Sequence, residues 1–165
     1  MENQDIKEIY LAGGCFWGMQ AFFKQLNGVL ETAVGYANGN LENPSYQQVC
    51  SDTTGFAETL YIKYDKELLC LNILLDYFFH VIDPTSLNKQ GEDEGSQYRS
   101  GIYYSDPEDY VAIAAYLDDV KHHYEKEIVT EVKPILNFYL AEEYHQDYLD
   151  KNPQGYCHID LSILD

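Results

Sequence analysis

A chain of 165 residues with 45% hydrophobic and 15% aromatic side chains is long and apolar enough to bury a sizeable core, which excludes a disordered chain. Twenty-eight acidic residues against ten basic ones leave a net charge of −18, a surface that repels phosphate backbones and anionic lipid and so excludes nucleic acid and membranes as partners. Four cysteines, at 15, 50, 70 and 157, are too few and too scattered for a disulfide framework, and the first residues carry neither the basic nor the apolar region of a signal peptide, so the cytoplasm is the expected compartment.

In chain order, Ile6 to Ala12 is a short run of β-formers that stops at Gly13-Gly14 and reads as a strand. From Cys15 the apolar positions fall at 15, 16, 19, 22, 23 and 26, the rhythm of a helix that Gly28 is placed to end. Val29 to Tyr36 reads as a second strand, and Gly35 to Gly39 with Asn43-Pro44 as a loop. Ser45 to Cys50 is expected to form one or two helical turns. Ala57 to Tyr64 alternates, with Glu58, Leu60, Ile62 and Tyr64 on one face. Leu68 to His80 is apolar nearly all round and predicts a helix buried on every side. Asp83 to Ser100 reads as a long polar loop and Gly101 to Tyr104 as a strand. Ser105-Asp106-Pro107-Glu108-Asp109 is a helix start, with apolar positions continuing to 128. Thr130 to Ile135 is a weaker strand, Leu140 to Leu149 a short helix, and Asn152 to His158 an irregular tail. The elements alternate without a dinucleotide-binding glycine fingerprint, so the expected fold class is α/β or α+β, a two-layer arrangement in one domain over residues 1–165.

Two positions carry chemistry. Cys15 opens a helix directly after two glycines, where the helix N-terminus favours a thiolate and glycines let a substrate approach closely. The same features also suit a small core residue whose glycines serve only the turn. Phe16 and Trp17, the only tryptophan, stand beside it, either as core aromatics or as an apolar corner for a methyl group. Glu58 holds the inward register of an apolar strand face, where burial favours the protonated acid; a solvated strand end would make it an ordinary surface acid.

Longer blocks then become recognisable. Gly14-Cys15-Phe16-Trp17-Gly18 resembles the active-site signature of the A-type peptide methionine sulfoxide reductases. Gly35-Tyr36-Ala37, Pro44 to Cys50, Thr54 to Glu58, Gln90 to Ser100, Tyr144 to Leu149 and Asn152 to Cys157 follow in the family's order. The resemblance spans about Ile9 to Cys157 and implies an α/β roll with a ferredoxin-like core. It implies Cys15 as nucleophile, Glu58 as the acid for the sulfoxide oxygen, and Tyr46 and Tyr98 as hydrogen-bond donors to that oxygen. Phe16 and Trp17 would house the methyl group, Asp93 would help place substrate and water, and Cys157 would be the resolving thiol. It further implies the S epimer of methionine sulfoxide, free or in proteins, as substrate and thioredoxin as reductant, with no bound cofactor or metal.

Three departures stand out. Phe56 replaces the histidine usual before Ala57-Glu58, Asn38-Gly39 replaces a double glycine, and no cysteine follows Cys157, which predicts a two-thiol cycle. Cys50 and Cys70 are expected to be packing residues, His122 and His123 to sit on a solvated helix face, and the protein to be a monomer. Two rival readings need other partners: a cysteine hydrolase needs His145 or His158 as base beside Cys15, and a zinc module needs ligand spacings that these cysteines and histidines do not show.

Overall fold

The computed structural model describes residues 5–40, 44–51, 54–90 and 93–152. Six strands form one mixed sheet in the order β7-β6-β1-β3-β2-β8, built from β1 (Ile6–Ala12), β2 (Val29–Ala37), β3 (Ala57–Asp65), β6 (Gly101–Tyr104), β7 (Glu131–Pro134) and β8 (Phe138–Leu140). Every pairing is antiparallel except β6 with β7. Alternation along the strands decides which side is buried. Ile9 and Leu11 of β1 lie opposite Ile62 and Leu60 of β3, and Val34 and Ile102 extend the Leu11–Leu60 row to either side. All six side chains are fully buried.

Helices α1 (Phe16–Phe23), α3 (Leu71–Val81) and α4 (Pro107–Val120) supply the rest of this core, through Phe22, Phe23, Leu74, Phe78, Ile113 and Tyr116 among others. The other sheet face carries a thinner layer in which Tyr10 packs on Tyr61 and Phe138. The architecture is thus the mixed α/β two-layer fold expected from the alternation of elements. No helix among the described residues is long and apolar enough to cross a membrane.

Four expectations need correction. The 68–80 segment is not buried all round: α3 begins at Leu71, capped by an exposed Cys70, and Asn72, Ile73, Asp76 and His80 face outward. Helix α4 stops at Val120, followed by a 3-10 turn at Lys121–His123 with both histidines exposed. Its apolar rhythm continues past that point because Tyr124 and Ile128 still pack on the core, from irregular chain held by the Val129 N–H donating to the Pro84 carbonyl. The polar 83–100 stretch contains a two-stranded pair, β4 (Lys89–Gln90) with β5 (Asp93–Glu94), and a 3-10 turn at Ser96–Tyr98. The expected 140–149 helix is instead the end of β8, a 3-10 turn at Glu143–His145 and the four-residue α5 (Tyr148–Lys151). The tail beyond Asn152 lies outside the described residues.

Candidate active site

The sheet and α1 converge where β1 ends. Gly14 takes a left-handed backbone (φ 81°), and its N–H donates to the Tyr98 carbonyl at 3.2 Å, which binds the 96–98 turn to the strand-to-helix corner. A side chain on Gly13 would come within 2.7 Å of Ile82 and 3.0 Å of Phe78. The absence of a side chain there therefore lets the end of α3 pack against the turn.

Cys15 is the N-cap residue of α1 and is 7% exposed. The next residue marks the centre of the site. The Phe16 N–H donates to Glu58 Oε1 at 3.3 Å, so one backbone step separates the thiol-bearing residue from a carboxyl. Glu58 is 1% exposed, as its inward register on β3 required, and sits opposite Tyr36 of β2. Burial pushes its pKa up to about 8, opposed by the Phe16 N–H and assisted by the nearby Asp93. Its Oε2 finds no hydrogen-bond partner among the described residues. At neutral pH Glu58 is therefore largely a protonated acid with one oxygen left for a visitor.

Two tyrosines share that field. Tyr46 is the first residue of α2 (Tyr46–Cys50), whose N-cap Ser45 forms a reciprocal capping box with Gln48. Burial holds the Tyr46 and Tyr98 hydroxyls protonated far above the ordinary range, and the charge of Glu58 is the next cause for both. Asp93, Cys50 and Cys15 also act on Tyr98. Cys15, Glu58, Tyr46, Tyr98 and Asp93 are thus brought to one place by four separate stretches of chain. Cys157 lies outside the described residues.

The aromatic corner divides in two. Phe16 is 1% exposed and packs on Tyr36 and His145 with centroids 5.7 and 5.3 Å apart. Trp17 is half-buried, stacked on Tyr148 at 3.7 Å with planes 12° apart, and its indole N–H donates to His145 Nδ1 at 2.9 Å. His145, weighed above as a base for Cys15, commits that nitrogen to the indole.

Several supporting residues were not singled out from the sequence. Glu142 accepts the Tyr36 hydroxyl at 3.0 Å and the Tyr46 N–H at 3.2 Å, which holds its carboxyl below the usual range against the opposing effect of burial. Arg99 binds the Gly55 and Ser96 carbonyls and the Glu131 carboxylate, tying the approach to Glu58 to the turn bearing Tyr98. Being the only arginine in the chain was a signal that could have singled it out. Cys50 is exposed and hydrogen-bonded with Tyr46, so it is no packing residue. Phe56 fills the space over Gly39, where any Cβ would come within 2.2 Å of its ring, while Asn38 adopts a positive φ (56°), a conformation glycine takes most readily. The two departures are therefore one local arrangement.

The family model described as peptide methionine sulfoxide reductase matches residues 7–164. The chain is 56% identical over 159 residues to the peptide methionine sulfoxide reductase MsrA of Clostridium acetobutylicum, covering 96% of this chain and 98% of that one. It is similar to the crystal structure of reduced Mxr1 from Saccharomyces cerevisiae, with a TM-score of 0.88 and 43% identity over 94% of this chain and 91% of that one. Mxr1 crystallised in complex with Trx2 matches with a TM-score of 0.63 and 30% identity, over 89% and 87% of the two chains.

Proposed function

Because the chain belongs to the A-type peptide methionine sulfoxide reductase family and is an oxidoreductase of methionine sulfoxide, we propose that it reduces the S epimer of methionine sulfoxide, free or in proteins, with Cys15 as nucleophile and Glu58 as acid. The observation that carries this reading is the buried Glu58 carboxyl, hydrogen-bonded to the residue after Cys15 and with its second oxygen unclaimed among the described residues.

The Cys15 thiolate attacks the sulfoxide sulfur, and Glu58 gives its proton to the oxygen. Charge gathering on that oxygen meets the Tyr46 and Tyr98 hydroxyls, which partial burial keeps protonated and able to donate. The S–O bond of the substrate is broken, methionine leaves, and Cys15 becomes a sulfenic acid. Trp17 and Phe16 form the apolar wall for the methyl group, and Asp93 helps place substrate and water. The Cys157 thiol then displaces the hydroxyl as water, giving a Cys15–Cys157 disulfide. A dithiol protein reduces that bond by exchange. The complex of yeast Mxr1 with Trx2 supports a thioredoxin in this role.

The test follows each epimer of methionine sulfoxide in a blocked peptide, with dithiothreitol as reductant, for the native chain and Cys15→Ser. Loss of the S epimer alone, and no loss with Cys15→Ser, is the expected result; reduction of neither epimer, or undiminished activity in Cys15→Ser, sinks the proposal. Cys157→Ser should still complete one turnover but should not be recycled by thioredoxin.

A further inference from the structure

For Tyr46 and Glu58 to meet one oxygen, helix α2 must be held at a set distance from strand β3, and bonds inside the helix cannot do that. The capping box of Ser45 with Gln48 and the bond between Tyr46 and Cys50 belong to α2 and its cap, and move with them. The Tyr46 N–H lies in the first turn, where no carbonyl of its own helix can receive it. It donates instead to Glu142 Oε2 at 3.2 Å, across 96 positions of sequence.

The other oxygen of that carboxyl, Oε1, accepts the Tyr36 hydroxyl at 3.0 Å. Tyr36 is fully buried and is the β2 residue paired across the ladder with Glu58. Glu142 is tied to the same strand, because the Ala141 N–H before it donates to the Val34 carbonyl at 3.0 Å. One carboxyl therefore joins the backbone of Tyr46 to the strand pair that carries Glu58. Burial would raise its pKa, yet the bonds it accepts hold it below the usual carboxylate range. At neutral pH Glu142 is thus an anion with an acceptor oxygen for each donor, and the Tyr144 hydroxyl stands 3.4 Å from Oε2 as a third.

We propose that Glu142 is a positioning residue for S–O cleavage: by joining the Tyr46 backbone to the Tyr36 hydroxyl it sets where the Tyr46 hydroxyl stands relative to Glu58. This inference rests on the role given to Tyr46 above. The effect of Glu142 runs through Tyr46 and leaves substrate binding alone.

Glu142→Gln keeps the shape but offers one oxygen to two donors and turns an amide N–H towards the other. In single-turnover reduction of the S sulfoxide peptide it should lower the saturating rate about tenfold and leave the half-saturating concentration within about threefold. Two backgrounds separate positioning from a general loosening. In Tyr46→Phe, which lacks the hydroxyl being placed, Glu142→Gln should add less than about a twofold loss. In Tyr98→Phe, where Tyr46 remains as donor, it should keep its loss of about tenfold.

A second readout needs no substrate. An amide in the first turn of a helix exchanges freely with solvent unless something outside the helix accepts it. The Tyr46 amide should exchange slowly in the native chain and quickly in Glu142→Ala. Should the variants fail to fold, the native chain decides: slow exchange supports the bond, and free exchange overturns it.

Losses of equal size in the two tyrosine backgrounds, a raised half-saturation at unchanged rate, or a Glu142→Gln that matches the native chain also overturn the proposal. If the native chain reduces no sulfoxide, the functional reading fails, whereas amide exchange still decides whether Glu142 holds Tyr46.

Discussion

Glu58 shows what a single side chain gains from its strand register. Alternation along β3 sends it to the same side as Leu60, Ile62 and Tyr64, and burial does the rest. Removing the proton while keeping the shape, as in Glu58→Gln, should slow single-turnover reduction about 10²- to 10⁴-fold, measured by stopped flow at saturating sulfoxide. The native rate should fall as pH rises through about 8, where the protonated acid is lost, and the Gln variant should lack that limb. Stability follows the same sign. A carboxyl whose pKa is raised from 4.5 to about 8 on folding contributes stability that is full below 4.5 and lost as pH rises through 8. Thermal melts of the two proteins should therefore shift in favour of Glu58→Gln across that window. Cys15 and Glu58 were legible because each breaks a local pattern: a thiol opening a helix, an acid on an apolar face. The Trp17–His145 bond spans 128 positions and breaks none, so no local rule could find it.

At the scale of elements, the strands β1 and β6 and the start of α4 were legible to the residue or nearly so, since alternation and capping chemistry act within a few neighbours. The 138–151 region was not. Strand β8 has three residues and exists because Gly35, Tyr36 and Ala37 offer a free ladder; no periodicity can show in so short a run. Beyond it the side chain of Gln146 continues the ladder, accepting the Val34 N–H at 3.0 Å and donating to the Val34 carbonyl at 2.9 Å. A side-chain amide thus stands in for a strand residue and carries the turn of Glu142 and His145 with it. Gln146→Leu leaves both backbone groups of the buried Val34 without this partner. It should cost about 1–3 kcal/mol, read as a lower urea midpoint at unchanged slope.

For the whole molecule, a charge of −18 concentrates like charges on one small surface, and ion pairs such as Lys24 with Asp147 and Lys7 with Asp109 relieve only part of the repulsion. Added salt shortens the reach of that repulsion from about 30 Å at 0.01 M to about 8 Å at 0.15 M. The melting temperature should therefore rise by several degrees over that range, about 1 kcal/mol of stability for a chain of this size; a flat or falling curve would refute the argument. The two-layer class followed from the order of elements, whereas the sheet order, with β3 between β1 and β2, is set by long-range pairing that composition does not encode. That order also decides which strands face the solvent edge-on. The outermost are β7, four residues ending in Pro134, and β8, three residues long. Neither offers a long row of unpaired amides as a template for a misfolded neighbour, and the shared negative charge keeps second copies at a distance. A protein with edges this short can work among partly unfolded chains without being recruited into their aggregates.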